Sequence, residues 1–232
     1  MRTLIIIPAY NEDKTIVNVL DDIRGHYPSA DVVVINDGST DATSAVTKAD
    51  GAKVIDLAHN LGIGGAMQTG YKYAAVKGYD IAVQFDGDGQ HRADQLDILL
   101  APIIAGNADI VIGSRFLGPE GYESKLSRLI GIKIIAWTVS VFCRKRVTDP
   151  TSGFRAARRN VIEFYTRRYP EDYPEPEAIV LLHRAGFRMA EVPALMKERE
   201  AGRSSITAAR AFYYMIKVLL AIMIDMIKVP GR

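Results

Sequence analysis

The sequence predicts an α/β fold: a mostly parallel sheet flanked by helices, with apolar or amphipathic helices towards the C-terminus. Three observations carry that expectation. Short apolar runs rich in β-branched residues alternate with stretches of helical periodicity through the first half of the chain. Apolar strands separated by helices imply a parallel sheet covered on both faces. Polar, mostly glycine-bearing motifs follow the strands, and in open α/β sheets ligands bind beyond the carboxyl ends of the strands. With 232 residues, the chain can bury a sizeable core as one domain of ordinary α/β length.

The elements follow in order. Thr3 to Ile7 is the first strand. Pro8 and the polar Tyr10-Asn11-Glu12 cut it short, so it does not read as the apolar region of a secretory signal. A helical pattern covers Thr15 to Arg24, and Asp31 to Ile35 is the second strand. Asp41-Ala42-Thr43 opens the next helix with the side chains that favour a helix N-terminus. Lys53 to Leu57 is the third strand, Gly65 to Lys77 a helix, and Ile81 to Phe85 the fourth strand. Ala93 to Ile104 is helical, and Asp109 to Gly113 is the fifth strand.

The second half changes character. Leu126 to Cys143 is largely apolar, and so is Phe212 to Val229 apart from Lys217, Asp225 and Lys228. A bilayer span needs about 20 uncharged apolar residues, and those three charges argue against one. A helix lying in the membrane interface fits better, with Trp137 and Phe212-Tyr213-Tyr214 at headgroup depth. Two ordinary buried helices are the alternative. The expected organisation is a catalytic-type domain over residues 1–206, interrupted by an interfacial helix at 124–143, and a C-terminal membrane-interface helix over 207–232.

Composition narrows the partners. Lys and Arg number 29 against 27 Asp and Glu, a net charge of +2. No dominant cationic field exists to neutralise nucleic-acid phosphates, which argues against nucleic acid as the main partner. Arg144-Lys145-Arg146, Arg158-Arg159 and Arg167-Arg168 read first as solvated faces. The single cysteine, Cys143, cannot close an internal disulfide and fits a reducing cytoplasm.

Four strand ends carry the chemistry. After the first, Pro8 turns the chain and Tyr10 offers an aromatic face for stacking. After the second, Asp37 is able to accept a hydrogen bond from a base N–H. After the third, Asn60-Leu61-Gly62-Ile63-Gly64-Gly65 permits close backbone approach to a ligand. After the fourth come Asp86 and Asp88, one residue apart. Alternate residues of an extended chain point the same way, so both can converge on one hard cation, Mg²⁺ or Mn²⁺, shared with substrate phosphates. No Gly-x-Gly-x-x-Gly follows the first strand and no phosphate-loop Gly-Lys-Ser/Thr occurs, which sets aside the dinucleotide and P-loop classes.

Ile6 to Glu12, Val34 to Asp41 and Asp86 to His91, in this order and spacing, resemble family 2 glycosyltransferases of the Rossmann-like GT-A fold. Ile112-Gly113-Ser114-Arg115 and Asp149-Pro150-Thr151-Ser152-Gly153-Phe154-Arg155 resemble the polyprenyl-phosphate branch of that family. The resemblance covers roughly residues 3–206. It implies that Pro8, Ala9, Tyr10, Glu12, Asp37, Gly38, Gly65, Asp86, Gly87 and Asp88 hold a UDP- or GDP-sugar, with Asp86, Asp88 and Gln90 on the metal. It places Arg115, Arg128 and Lys133 near the phosphate of a polyprenyl acceptor, and Asp149 beside the reaction centre with Asp88 and Arg115. Arg199, Arg203 and Ser204 would belong to a loop closing over the donor. The reaction implied is inverting sugar transfer to undecaprenyl or dolichyl phosphate, by a peripheral or monotopic enzyme on the cytoplasmic membrane face. A homo-oligomer is compatible with it.

The alternative is a hydroxyl acceptor in polysaccharide or cell-wall glycan synthesis. That acceptor needs a general base, for which Asp149 is the candidate. A non-catalytic nucleotide-sugar-binding protein is disfavoured by the intact Asp-x-Asp and its neighbouring motifs. One stretch, Tyr173-Pro174-Glu175-Pro176-Glu177, departs from the pattern of the mannosyl enzymes and leaves the donor sugar open.

Overall fold

Strand β1 (Thr3–Ala9) is buried along almost its whole length and forms the spine of a seven-stranded sheet ordered β3-β2-β1-β4-β6-β5-β7. The computed structural model describes residues 1–118, 126–171, 174–197, 217–221 and 223–224, with side chains in the helix beginning at Leu126 described from residue 129. β2 (Asp31–Asn36) and β4 (Ile81–Gln84) flank β1 in parallel, and β3 (Lys53–Asp56) adds to β2. β5 (Ile110–Ser114) pairs in parallel with the edge strand β7 (Met189–Pro193). Between β4 and β5 runs β6 (Arg155–Arg158), antiparallel to both.

The mostly parallel sheet is therefore as expected, and β6 and β7 are additions to the sequence reading. β6 is Arg-Ala-Ala-Arg, with none of the β-branched residues that signal a strand. Its alanines point to opposite cores: Ala156 joins the layer made with α1 (Ile16–His26) and α4 (Leu96–Ile104). Ala157 joins the layer made with α3 (Gly62–Val76), α6 (Arg159–Arg167) and α7 (Pro174–Arg184). Helix α2 (Thr43–Ala49) follows β2.

Helix α3 begins three residues before the expected Gly65. Its first N–H groups are satisfied from outside: Leu61 N donates to Asp37 Oδ1 at 2.7 Å and Gly62 N to Asn60 Oδ1 at 3.0 Å. Gly64 then lies in the first turn because the chain crosses it closely. A Cβ there would sit 2.0 Å from the Glu171 carbonyl oxygen.

Helix α5 (Leu126–Cys143) has two apolar faces. Ile132, Ile135, Val139 and Cys143 are buried against α7 and Val218, which lies in a helical stretch at 217–221. Ile130, Ile134, Trp137 and Val141 face outward, Trp137 being 70% exposed. No helix among the described residues is long and apolar enough to cross a membrane.

Candidate active site

The parallel strands β1, β2 and β4 deliver their C-terminal loops to one edge, and each loop is held by side chains of its neighbour. At the end of β1, Asn11 adopts a left-handed backbone (φ 58°), rare for any residue but glycine and commonest for Asn and Asp. Its Oδ1 accepts from Thr40 N at 2.9 Å and its N–H donates to Ser39 Oγ at 3.0 Å. The next N–H, of Glu12, donates to Thr43 Oγ1 at 2.8 Å. The buried Thr15 hydroxyl lies 2.8 Å from the Gly87 carbonyl oxygen and 3.0 Å from Glu12 Oε2. Thr15 thus ties the β1 loop to the one after β4.

Asp37, buried at the end of β2, receives Leu61 N on Oδ1 and donates its own N–H to the Ala9 carbonyl at 2.9 Å. Burial raises its pKa above the ordinary carboxylate range, while the Leu61 and Gly62 N–H groups oppose the rise. Gly38 follows with φ +69°, where a Cβ would meet Asn60 N at 2.8 Å.

Strand pairing of β4 ends at Gln84, so Asp86 and Asp88 do not sit on an extended strand as the alternation argument supposed. They occupy a tight turn, in which Gly89 takes φ +78°. Asp86 N donates to His91 Nδ1 at 2.9 Å, which fixes the proton on Nε2, 3.4 Å from Asp86 Oδ2. The His91 ring is itself wedged against Phe85 and Phe154. Asp88 Oδ1 accepts from Gln90 N at 3.0 Å.

These loops enclose a cleft of about 260 Å³. Pro8, Ala9, Tyr10, Glu12 and Asp37 line it from the first two strand ends, and Asp86, Gly87 and Asp88 from the fourth. Of the residues expected to hold a donor, only Gly38 and Gly65 are not among its lining. Three others join it: Ile63, Ala66 and Glu175. A separate depression of about 370 Å³ lies elsewhere, lined by Met1, Asp80 and the Arg158–Arg159 pair, and holds none of the motif residues.

A family model, "Glycosyl transferase family 2", matches residues 4–166. The chain belongs to this family. An undecaprenyl-phosphate mannosyltransferase of Micrococcus luteus is 34% identical over 220 residues, 89% of this chain and 88% of that protein. A polyprenol monophosphomannose synthase of Mycolicibacterium smegmatis is 32% identical over 94% of this chain and 85% of its own. A UDP-N-acetylglucosamine–dolichyl-phosphate N-acetylglucosaminyltransferase of Methanococcus voltae is 32% identical over 82% of this chain and 83% of its own. The fold matches that of glucosyl-3-phosphoglycerate synthase from Mycobacterium tuberculosis, crystallised with Mn²⁺, UDP and phosphoglyceric acid. The TM-score is 0.74 at 20% identity, over 99% of this chain and 80% of that one. The GT-A architecture is thereby established for this glycosyltransferase.

The remaining residues of this family 2 enzyme fall in two groups. Arg115 follows β5, and its guanidinium grips Asp149, with Nε 2.6 Å from Oδ2 and Nη2 2.7 Å from Oδ1. Asp149 is fully buried and also accepts from Arg115 N and Thr151 Oγ1. Glu191 of β7 holds the turn, accepting from Thr148 N at 2.9 Å and Asp149 N at 3.0 Å. Sequence reasoning missed Thr15 and Glu191, whose partners lie far away in the chain. Lys133 stands on the exposed face of α5. The Arg128 side chain and all of Arg199, Arg203 and Ser204 lie outside the described residues.

Among the described residues, no three His, Cys, Asp or Glu side chains converge as a closed metal cage. Two carboxylates at one cleft are instead an open, all-oxygen donor set. Such a set suits Mg²⁺ or Mn²⁺, which keep positions for substrate phosphate and water. Gln90, expected as a third ligand, is not in the cleft lining; its carbonyl accepts from Lys197 N at 2.8 Å.

Proposed function

We propose that this enzyme transfers a sugar, with inversion, from a UDP- or GDP-sugar to a polyprenyl phosphate at the cytoplasmic membrane face. The observation that carries the reading is one cleft lined jointly by Tyr10, Asp37, Asp86 and Asp88. Tyr10, 48% exposed, offers a stacking face for the base, and Asp37 an acceptor for a base N–H. Asp86 and Asp88, with Gln90 a further ligand, would hold Mg²⁺ or Mn²⁺, which would supply positive charge beside the leaving diphosphate. His91 orients Asp86 from behind. Relatives named for undecaprenyl, polyprenol and dolichyl phosphate support the acceptor class.

The Asp149 geometry favours a phosphate acceptor over a hydroxyl one. A general base must reach the proton it removes, yet both Asp149 oxygens are engaged by Arg115 and the residue is buried. We assign Asp149 to positioning Arg115 and the 148–155 loop. A phosphate, largely ionised at neutral pH, needs cations rather than a base. Arg128 and Lys133 from α5 would supply them, Arg by bidentate donation, together with Arg115, whose own Nε–Nη2 edge is taken by Asp149. The outward face of α5, with Lys133 among Ile130, Ile134 and Trp137 and exposed Arg144, Lys145 and Arg146 at its end, suits peripheral contact with anionic lipid.

The test is turnover by purified protein with Mn²⁺ or Mg²⁺, a panel of UDP- and GDP-sugars and undecaprenyl phosphate in detergent. Lipid-linked sugar from one donor is the expected product. Asp88→Ala lowers turnover by about a hundredfold or more, the scale of losing a group that stabilises transition-state charge. Nucleotide release with hydroxyl acceptors alone would overturn the proposal.

A further inference from the structure

The cleft contains a carboxylate that belongs to none of the donor-binding motifs. Glu175 stands at the start of α7 and lines the cleft together with Asp86 and Asp88. Its backbone is fixed on two sides. Arg155 Nη1 donates to the Glu175 carbonyl at 2.8 Å, while the same buried guanidinium holds the Ser152 and Pro150 carbonyls at 2.8 and 2.9 Å. Pro174 and Pro176 lock φ before and after it. The side chain is therefore presented from a rigid support, as specificity requires.

Beside it lies Gln84, 1% exposed, neither of whose amide atoms makes a hydrogen bond of good geometry with the protein. Buried polar groups are almost always paired; the neighbour the Gln84 amide has here is the Glu175 carboxylate, and that carboxylate lines the cleft. Gly153 closes the wall: a Cβ there would lie 2.9 Å from Gln84 Nε2 and 3.1 Å from Asp86 Oδ2.

Strand order gives the direction of the ligand. Asp37 ends β2, Tyr10 follows β1, Asp86 and Asp88 follow β4, and β6 with Arg155 comes next. A donor with its base at Asp37 and its diphosphate at the Asp pair points its sugar towards β6, where Arg155 anchors Glu175. Resting on the nucleotide-sugar reading above, we propose that Glu175 selects the donor sugar, its carboxylate accepting hydrogen bonds from hydroxyls of a neutral hexose. An ionised carboxylate only accepts, so it matches hydroxyl donors and repels a uronate. A sugar lacking the recognised hydroxyl leaves the carboxylate unpaired, the situation in which discrimination is steepest.

The experiment is calorimetric titration of the protein with Mn²⁺ present. The ligands are UDP or GDP, the nucleotide hexose that binds tightest, and its analogues singly deoxygenated at C2, C3, C4 or C6. For wild type, one deoxygenation is expected to weaken binding by about tenfold or more, the worth of a hydrogen bond to a charged group. Glu175→Ala should erase that difference yet bind the nucleoside diphosphate within about twofold of wild type. Glu175→Gln, which keeps the shape, should melt at the wild-type temperature and lose at least half of the discrimination on a logarithmic scale. Equal sensitivity of wild type and Glu175→Ala to every deoxygenation would overturn the proposal, as would parallel loss of nucleoside diphosphate binding. Turnover onto undecaprenyl phosphate is scored separately. A protein that shows the deoxygenation effect but transfers nothing to that lipid refutes the acceptor reading and leaves the role of Glu175 standing.

Discussion

Asp37 illustrates a residue whose placement serves a ligand at the expense of the fold. Its carboxyl is buried, and burial raises its pKa. The folded state thus disfavours the ionised form, so this group subtracts stability above its folded pKa. Asp37→Asn keeps an oxygen for Leu61 N and removes the charge. We expect its melting temperature at pH 7 to equal or exceed that of wild type, while affinity for the nucleoside diphosphate falls about tenfold, one charge-assisted hydrogen bond. Lower melting with intact affinity would assign Asp37 to structure alone. Asn11 is the complementary case: its side chain bonds Thr40 to hold a backbone turn that positions Tyr10 and Glu12. Both residues stood in the motifs, and so did the Thr40 and Leu61 that bond them; what the sequence did not state is which motif residue bonds which.

At the scale of elements, α5 is legible in part. The apolar run over Leu126–Cys143 was visible as a helix, and its two apolar faces became distinguishable only when α7 covered one of them. The outward face carries Trp137 at 70% and Val141 at 53% exposure. Exchanging both for Glu should change unfolding free energy by less than about 0.5 kcal/mol each, as for exposed positions generally. Binding to vesicles containing anionic phospholipid should fall about tenfold or more, given roughly 1.5–3 kcal/mol for each large apolar side chain withdrawn from water. Co-flotation with such vesicles measures this, and unchanged recovery of the double variant would remove α5 from the membrane contact. Helix α3 teaches a related lesson. Its glycines read as a loop, because helix propensity counts against them, yet side-chain oxygens of Asp37 and Asn60 start the helix at Gly62.

For the whole molecule, Asp109 at the start of β5 joins three elements. It accepts from Arg188 N and Nε, from Arg188 Nη2, and from Asn160 Nδ2. The Arg188 hydrogen bonds hold its pKa down to about 2. Asp56, bonded by Lys48, Ser44 and Asn36, is likewise lowered to about 2. A depressed carboxylate stabilises the fold above its unfolded pKa of about 3.9 and loses that contribution as pH falls through the folded value. The urea midpoint should therefore drop between about pH 4 and pH 2. In Asp109→Asn the drop should be smaller, and a drop of undiminished size would remove Asp109 from the acid transition.

The sequence by itself determined the α/β class, the order of the five strands before Leu126, and the residues at their ends. Those features depend on local periodicity and on residue chemistry within a few positions, which a chain carries wherever it folds. Tertiary structure alone decided that β6 inserts antiparallel between β4 and β5. It also decided that Arg115 and Asp149, 34 residues apart, form a buried pair, and that Glu175 reaches the cleft beside Asp86. Each of these joins segments distant along the chain, and each depends on burial. A buried charge is tolerated only where a partner meets it, and no local pattern states which partner that is.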